Sequence, residues 1–315
     1  YVEELWVNNP WLIANENTNA FQENRIVGNA AMTWSFSDQL NLRFRFGADS
    51  KDEQRQFRRA TSTKGVLFGS YREDELSFLE TNTELLLSFN TKRTGDLVLD
   101  LKAGGNLMHQ QSNILSANNP QLLQPGVFTL TNNRSDVLVE NPRAEKGINS
   151  VFGLASIAYK NFLYLDISGR NDWSSTLPAA NNSYFYPSLS MSAVLSERMN
   201  LPANAFLSFL KLRANYAEVG SDTDPYLLTN FYEPEPLFGS SPAFSTSAFA
   251  ANPDLRPEKT SSWELGLDVR FAKNRLGIDA TYYNMLSEDQ IIFLPVALTS
   301  GKQTRLANGG AISNK

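Results

Sequence analysis

The strongest constraint on the fold is a two-residue periodicity between residues 261 and 286. From Trp263 to Phe271 apolar residues alternate with polar ones, which is the pattern of a β-strand with one apolar face and one polar face. A tight turn at Lys273-Asn274 would place Ala272 opposite Arg275 and start a second strand. The pairs that this turn predicts on the apolar face are Phe271–Leu276, Val269–Ile278, Leu267–Ala280 and Leu265–Tyr282. A slip of one residue would abolish the match, so the pattern predicts both a hairpin and its register.

The polar face of the same hairpin carries charged residues. These are Glu264, Asp268, Arg270 and Asp279, and the predicted register places Asp268 directly opposite Asp279. Two facing carboxylates destabilise a dry sheet, whereas Arg270 is within diagonal reach of Asp279. We therefore expect these four residues to line a hydrated wall.

Two environments suit the apolar face of this hairpin. A soluble β-sandwich would bury the face against a second sheet, and a membrane β-barrel would turn it to lipid. Trp263 and Phe271 are separated by about 26 Å along a strand, or about 20 Å of height at a tilt of ~40°. This height is close to the lipid-facing band of an outer-membrane barrel, which aromatic residues border. Trp263 and Phe271 are therefore predicted to be girdle residues.

The composition excludes several classes of protein. Charged residues make up 19% of the 315 residues, below the roughly 25% typical of soluble domains. No apolar run approaches the ~18 residues of a membrane helix, so a membrane-spanning form must be a β-barrel. The chain has no cysteine, which excludes disulfides and thiolate metal sites. A net charge of −5 offers no basic surface for nucleic acid.

Alternation recurs along the chain, and the connections alternate in length. The predicted strands are 26–36, 39–49, 75–90, 95–110, 148–160, 162–172, 185–196, 207–219, 261–272 and 275–286. Short connections fall at 37–38, 91–95, 160–161 and 273–274, with a longer one at 197–205, and long connections cover 50–74, 111–147, 173–184 and 220–260. Tight turns at one edge and long loops at the other are typical of a transmembrane barrel. A Greek-key sandwich would mix connection lengths at both ends.

About ten strands do not close a barrel of this kind. An open sheet in lipid would leave two unpaired edges, which hydrocarbon does not tolerate. We therefore interpret the chain as an internal part of a longer one, with further strands before Tyr1 and after Lys315. The expected fold class is all-β, an antiparallel transmembrane β-barrel that is present in part.

A series of motifs resembles one family. They are Ser150-Val-Phe-Gly153, Tyr164-Leu-Asp166, Gly169-Arg-Asn-Asp-Trp-Ser-Ser175, Tyr184-Phe-Tyr-Pro-Ser188, Lys211-Leu-Arg-Ala-Asn-Tyr216 and Asn252-Pro-Asp-Leu-Arg-Pro-Glu258. In order and spacing the chain from about residue 148 to its end resembles the SusC/RagA family of TonB-dependent outer-membrane transporters. Residues 8–49 match this family more loosely, and residues 50–147 match it only in general character.

The resemblance implies a function and a set of partners. It implies a barrel of about 22 strands around an N-terminal plug, in the outer membrane of a Gram-negative cell. Residues 1–315 would then be part of a single barrel domain, with the plug and the barrel closure outside them. A SusD-like surface lipoprotein would cap the extracellular side, and the TonB–ExbB–ExbD complex would drive the import of oligosaccharides or peptides. No enzymatic activity and no cofactor are implied.

Candidate binding residues lie in or beside the long loops. Phe231 and Tyr232 offer large rings for stacking on a sugar or peptide, although packing within the loop or at a girdle is the more frequent use of such rings. Trp173 is a second candidate, with an interfacial girdle position as its alternative. His109 is the only histidine and has no recognisable partners, so we predict neither a catalytic site nor a metal site. Asp222-Thr-Asp224 begins like a calcium loop but lacks the later ligand and glycine positions, which favours a turn.

Two alternative functions remain open from the sequence. A siderophore or vitamin receptor shares the barrel and the plug but has no SusD-type cap. A structural or adhesive protein built as a soluble β-sandwich belongs to another class. It would fold as a monomer without detergent, whereas the barrel interpretation predicts a chain that needs detergent.

Overall fold

A computed structural model describes residues 8–91, 95–199, 202 and 205–315. Within these residues the only α-helix is α1 (Pro10–Asn15), and single 3₁₀ turns occur at Leu195–Glu197 and Leu298–Ser300. Asn9 caps α1 by accepting a hydrogen bond from the backbone N–H of Trp11 at 2.9 Å. No helix in the described part of the chain has the length and apolar character needed to cross a bilayer.

Strands account for most of the described chain. They are β1 (Asn19–Ser35), β2 (Leu40–Arg59), β3 (Ser70–Asn90), β4 (Leu97–Asn119), β5 (Leu138–Glu140), β6 (Arg143–Tyr159), β7 (Leu163–Ser174), β8 (Ser183–Val194), β9 (Leu207–Ser221), β10 (Tyr232–Phe238), β11 (Ser241–Thr246), β12 (Phe249–Ala250), β13 (Glu258–Phe271), β14 (Leu276–Glu288), β15 (Ile291–Pro295), β16 (Thr304–Asn308) and β17 (Ala311–Asn314). The largest sheet has the order β1-β2-β3-β4-β6-β7-β8-β9-β13-β14-β17, with β5 paired to β4. The ten predicted strands are confirmed as β1–β4, β6–β9, β13 and β14.

The predicted hairpin is confirmed as β13–β14, including its register. Phe271 pairs with Leu276, Val269 with Ile278, and the ladder continues in step to Lys259 and Glu288. Three consecutive residues of the turn, Ala272, Lys273 and Asn274, have positive φ. The other Lys-Asn turn, at 160–161, also has positive φ at both residues. Both dipeptides therefore supply the left-handed backbone that a tight hairpin turn requires.

The predicted loop 50–74 is wrong at both of its ends. Strand β2 continues to Arg59 and β3 begins at Ser70. Residues 50–59 are rich in charged residues, and the sequence analysis placed them in a long connection. In the structure Lys51, Glu53 and Arg55 share one face of β2, and Lys51 forms an ion pair with Glu23 of β1 at 3.1 Å. Charge alone therefore does not end a strand whose polar face is hydrated.

The long connection 220–260 also contains strands that the sequence analysis missed. Strands β10 and β11 form a separate two-stranded sheet. Strand β12 belongs to a three-stranded sheet with β15 and β16, which follow β14 in the chain. Prolines at positions 234, 236 and 242 obscure the strand pattern because proline is rare in sheet interiors.

The chain forms two compact units. Unit 1 contains the described residues up to Ala30 together with Phe46–Asn82 and His109–Glu145, and its buried apolar residues are Tyr71 and Leu122. Unit 2 contains Ala31–Arg45, Thr83–Met108 and the described residues from Lys146 to the end.

The buried apolar core of unit 2 is small and lies outside its long strands. It consists of Leu177, Leu255 and Leu306, with Tyr184 and Ile291 packed against it. Leu177 and Leu255 lie in connections, and Leu306 lies in the short strand β16. The apolar faces of the long strands in unit 2 are therefore not covered by a core.

Candidate functional site

The apolar face of unit 2 is exposed over adjacent strands. Leu265 is 54% exposed and Ile278 is 52% exposed, although both lie in the middle of regular strands. The same face continues onto β9 and β8 through Leu212 and Met191, which are also exposed. A soluble protein rarely leaves such a continuous apolar surface open to water.

Aromatic residues lie at both ends of this apolar face. Trp263 packs against Tyr282, with ring centroids 5.4 Å apart, and it pairs across the sheet with Tyr216. Phe271 stacks on Phe206 at 5.2 Å. Trp263 and Phe271 thus lie where the sequence analysis predicts girdle residues, and this role stays a prediction.

On the polar face of β13 and β14, a carboxylate is paired with an arginine of β9 that the sequence analysis missed. Asp268 is directly opposite Asp279, as expected. The expected diagonal contact from Arg270 to Asp279 is wrong, because Arg270 binds Asp268 on its own strand at 3.1 Å. Arg213, on strand β9, reaches across β13 and binds Asp279 at 2.5 Å. Glu264 accepts a hydrogen bond from the side chain of Asn215 at 3.0 Å.

Gly266 makes room for the contact between Arg213 and Asp279. A Cβ atom at Gly266 would lie 2.7 Å from Nε of Arg213, so a larger residue would displace the guanidinium. Gly266 pairs with Arg213 on one side and with Thr281 on the other. The missing side chain therefore lets one arginine span three strands.

A buried polar cluster lies at the loop end of β6, β7 and β8. Nε of Arg170 donates to Asp172 at 2.8 Å, and its terminal nitrogen donates to Ser150 at 2.7 Å. The hydroxyl of Tyr186 donates to the other oxygen of Asp172, and Arg170 also lies over the ring of Phe152. Asp172 and Ser150 are both buried. The cluster joins three strands, so the Arg170–Asp172 pair fixes a strand end.

Asp222 anchors the start of the long connection that follows β9. Its carboxylate binds Nζ of Lys146 at 2.6 Å and accepts hydrogen bonds from Ser174 at 2.5 Å and Thr176 at 3.3 Å. Ser174 and Thr176 are almost completely buried. Sequence analysis identified the turn at Asp222-Thr-Asp224 but not these partners, which lie far away in the chain.

The three candidate binding residues do not come together. Trp173 pairs with Ser183 and Asn149 at the end of β7, on the face of Phe185 rather than that of Asp172. Phe231 and Tyr232 lie at the start of the β10–β11 hairpin, and both are exposed. The placement of Trp173 favours its girdle alternative, and ligand binding by all three residues stays a prediction.

A cleft of about 270 Å³ lies beside the polar cluster of unit 2. Tyr184 and Tyr186 line one side of it, and charged residues of β9, β13 and the segments beside β13 line the other. Two ion pairs cross this charged side, Lys259–Glu218 at 2.9 Å and Arg256–Asp289 at 2.9 Å. The cleft thus combines aromatic surface with charges of both signs.

Unit 1 carries a row of ion pairs on one face of β1 and β2. Arg25 binds Asp49 at 2.5 Å, and Glu53 receives both Lys51 at 3.1 Å and Arg55 at 2.5 Å. The hydrogen bonds from Arg55 and Lys51 lower the pKa of Glu53 to about 2. Glu53 lies beyond the apolar alternation of β2, which ends at Phe46. A cleft of about 400 Å³ beside this row is lined by Arg25, Asp49, Lys51, Leu76, Phe78 and Ile114, among others.

Within the described residues, no group of three or more His, Cys, Asp or Glu side chains has the arrangement of a metal site. The backbone carbonyl of His109 accepts a hydrogen bond from Thr81 at 3.5 Å.

Comparisons with known proteins agree with this architecture. A sequence model of the family described as "TonB dependent receptor-like, beta-barrel" matches residues 4–315. TonB-dependent receptor P26 of Formosa agariphila is 24% identical over 331 residues, which cover 98% of this chain and 33% of that protein. TonB-dependent receptor P3 of the same organism is 25% identical over 320 residues, which cover 98% of this chain and 32% of that protein.

Solved structures share this fold. The RagAB peptide transporter superposes with a TM-score of 0.84 at 20% identity, covering 96% of this chain and 34% of that one. The chain therefore spans about a third of the length of the proteins it matches.

Proposed function

Because the chain belongs to the TonB-dependent receptor-like β-barrel family, we propose that it forms part of the wall of a transporter that imports oligosaccharides or peptides. It is of the SusC/RagA type and is an outer-membrane β-barrel protein. The soluble β-sandwich alternative is thereby wrong. A transport function uses binding and release, so we propose no enzymatic step.

The observation that carries this proposal is the division of the wall into two faces. Leu265, Leu267 and Ile278 present an exposed apolar surface, whereas Asp268 and Asp279 on the other face are held in ion pairs. An apolar face suits lipid, and a hydrated charged face suits an interior that contacts a plug or a polar substrate. This division supports a channel wall.

The proposed partners follow from the family and lie outside the described residues. We propose a SusD-like surface lipoprotein on the extracellular side and the TonB–ExbB–ExbD complex as the source of energy. The plug and the barrel closure are proposed to lie in the rest of the longer protein.

The substrate would enter from the side of the long connections. The cleft beside Tyr184 and the cleft beside Arg25 each combine rings or apolar side chains with charges. Such surfaces bind polar oligomers through stacking and charge-assisted hydrogen bonds. These features support a polar oligomeric substrate, either an oligosaccharide or a peptide.

A growth and uptake experiment tests the proposal. A strain that lacks the full-length gene is grown on a panel of glycans and peptides too large for porins, beside a strain that lacks TonB. We expect the same substrate to fail in both strains and to be restored in the first by the gene on a plasmid. Normal growth of the deletion strain on the whole panel, or uptake that does not require TonB, would contradict the proposal.

A further inference from the structure

Three tight connections of unit 2 form one continuous edge. The N–H of Val194 donates to the carbonyl of Phe162 at 2.8 Å, which joins the β8–β9 connection to the β6–β7 turn. The N–H of Ala272 donates to the carbonyl of Phe206 at 2.8 Å, which joins the same connection to the β13–β14 turn. We call this the turn edge, and it comprises the described residues of 159–162, 194–206 and 271–275. Because the short turns of an outer-membrane barrel lie on its periplasmic side, the turn edge lies at the periplasmic surface of the membrane.

The apolar face of unit 2 ends in aromatic rings at the turn edge. Phe271 is the last residue of β13, on the face of Leu265 and Leu267, and its ring stacks on that of Phe206 at 5.2 Å. Phe206 is 71% exposed, and Tyr159, the last residue of β6, is 40% exposed. Rings at the end of a lipid-facing strand are typical of the headgroup level of a bilayer. The turn edge thus meets the membrane at the level of the lipid phosphates.

Positive charge is in excess at the turn edge. Its three connections contain one acidic residue, Glu197, and four basic residues, Lys160, Arg198, Lys273 and Arg275. Asp96, just before β4, pairs with Lys160 at 3.0 Å. Arg198, Lys273 and Arg275 are exposed and form no ion pair within the part of the chain that the structure describes. These three cations are therefore available to an anionic ligand.

Cations at the loop end of β9 and β13 are already paired. Lys259 binds Glu218 at 2.9 Å, and Arg256 binds Asp289 at 2.9 Å. A carboxylate beside a cation offsets the attraction of that cation for a further anion. The contrast between the two ends of the same strands indicates that an anion is bound at the turn edge.

Two turns place a lysine where glycine would fit with less strain. Lys160 has a φ of 51° and Lys273 has a φ of 59°, in the left-handed region that side chains rarely adopt. Glycine and asparagine are the usual residues at such positions of a hairpin turn. The geometry of the turns therefore does not explain the two lysines. A positive charge at this level of the membrane does.

The basic side chains lie beside the rings. Nζ of Lys160 is 5.3 Å from the ring centroid of Tyr159, and the guanidinium of Arg198 is 5.7 Å from that of Phe162. The N–H of Lys273 donates to Ser208 at 2.8 Å, which ties the β13–β14 turn to β9. Long basic side chains cover apolar surface with their stems and carry their charge to the headgroups. Rings and cations together match the two parts of a lipid, its acyl chains and its phosphate.

The excess of charge favours an anionic lipid over a zwitterionic one. The ammonium group of a zwitterionic headgroup offsets its own phosphate, whereas a glycerol headgroup leaves the phosphate uncompensated. Clusters of lysine and arginine beside membrane-spanning segments attract anionic lipids for this reason. The apolar face that continues from the turn edge contacts the acyl chains, which favours a lipid over a soluble phosphate.

We propose that the turn edge is a binding site for an anionic glycerophospholipid of the periplasmic leaflet. The lipid phosphate contacts Lys273 and Arg275, with Arg198 on the adjoining connection, and the acyl chains lie against Phe206 and Phe271. The inference goes beyond the proposed function, because it concerns the lipid around the protein and holds for any imported substrate.

Mass spectrometry of the intact full-length transporter tests the selectivity for lipid. The protein is purified in detergent, stripped of lipid and mixed with equal amounts of phosphatidylglycerol and phosphatidylethanolamine that carry the same acyl chains. We expect roughly fivefold more adducts with phosphatidylglycerol, the effect of about one basic residue near a headgroup. Equal amounts of the two adducts would overturn the proposal.

Matched variants test the location of the site. Lys273→Gln/Arg275→Gln removes two unpaired cations from the turn edge and should abolish the preference for phosphatidylglycerol. Arg256→Gln/Lys259→Gln removes two paired cations from the loop end and should keep the preference, as should Lys273→Arg/Arg275→Lys, which retains both charges. A preference that survives the first variant, or that falls equally in the second, would contradict the proposal.

The variant Lys273→Gly separates the charge from the geometry of the turn. Glycine adopts a positive φ without strain, so in lipid-free detergent this variant should unfold at or above the temperature of the wild type. Phosphatidylglycerol should raise the unfolding temperature of the wild type, because it binds the folded state, and should raise that of Lys273→Gly less. Inorganic phosphate at the same ionic strength should raise neither. An equal rise in both proteins, or the same rise with inorganic phosphate, would show that the turn edge is not a lipid site.

Discussion

At the scale of single residues, the wall depends on one missing side chain. Arg213 reaches Asp279 only because Gly266 leaves space for its guanidinium above β13. Without Arg213, Asp279 would face Asp268 and would have no ion pair within the described part of the chain. A glycine in a strand interior is otherwise unfavourable, so this one has a defined use.

Replacing Gly266 by alanine should break this contact. We expect Gly266→Ala to destabilise the full-length protein by up to about 1 kcal/mol, the upper range for a partly exposed ion pair. The free energy of unfolding is measured in detergent, where folded and unfolded barrels are distinguished by their different mobility on gels. Gly277→Ala is the matched control, because a Cβ there would meet Arg270 only at an ordinary 3.9 Å.

A double-mutant cycle separates the loss of the Arg213–Asp279 contact from any other strain that the alanine at position 266 introduces. In an Asp279→Asn background, Gly266→Ala should cost less than in the wild type, because the ion pair is already weakened. An equal cost in both backgrounds would contradict the assigned role of Gly266.

The ion pairs of Glu53 predict a dependence on pH. Because Arg55 and Lys51 lower the pKa of Glu53 from 4.5 to about 2, its stabilising effect is present above pH 4.5 and is lost as the pH falls towards 2. Wild type and Glu53→Gln should therefore differ in melting temperature at pH 7 and pH 5 and converge near pH 2. Asp52→Asn, at the neighbouring position, is the control. A difference that persists unchanged near pH 2 would contradict this assignment.

The sequence predicts some of these residues better than others. The opposition of Asp268 and Asp279 follows from local alternation and one turn, so it was predictable. The contact of Arg213 was not, because it requires knowing that β9 lies beside β13 across a long connection. The cluster around Asp222 was hidden for the same reason, since Lys146 and Ser174 precede it by many residues.

At the scale of elements, the long connections are structured. The segment after β9 begins with Asp222 held by Lys146, Ser174 and Thr176, and it continues into the β10–β11 hairpin. This segment was predicted as a loop because its prolines and small residues resemble one. The buried apolar cluster of unit 2 is small and consists of Leu177, Leu255 and Leu306. The ion pair and hydrogen bonds of Asp222 therefore hold this segment in place of a large apolar core.

Removing the anchor should release the segment without unfolding the wall. We expect Asp222→Ala to increase cleavage between residues 222 and 257 by added protease severalfold, because the partly buried Lys146 and the buried Ser174 and Thr176 lose their shared partner. Limited proteolysis of cells that display the full-length protein measures this. Asp224→Ala is the matched control, because Asp224 is exposed and makes no ion pair within the described residues. Equal cleavage of the two variants would show that Asp222 is not the anchor.

At the scale of the whole molecule, most of the fold was readable from the sequence. Ten strands and the register of the β13–β14 hairpin follow from a period of two, which is local information. The ends of β2, β3 and β4 were not predicted, because the charged extensions of β2 and β3 and the polar extension of β4 resemble loops when the partners across the sheet are unknown. The cleft beside Arg25 depends on the extensions of β2 and β4 and was hidden with them.

The lipid-facing surface also predicts the response to charge. An arginine in the middle of the apolar face should cost about 2–4 kcal/mol in the membrane, whereas the same change on the polar face should be tolerated. Leu267→Arg should therefore lower the amount of folded protein in the outer membrane, and Asp268→Arg should lower it much less. Folded protein is measured by its altered mobility before and after heating. Equal loss in both variants would contradict the assignment of the faces.

The central claim is that the apolar face of β13 contacts lipid and its polar face contacts water. The most direct test is a scan of single spin labels from residue 264 to residue 270 in the full-length protein in bilayers, because Leu265, Leu267 and Val269 alternate with Glu264, Asp268 and Arg270. Labels at the apolar positions should collide more with oxygen, which concentrates in lipid, and labels at the polar positions should collide more with a water-soluble nickel chelate. Accessibility to the chelate at every position, or the absence of a two-residue period, would contradict a transmembrane wall.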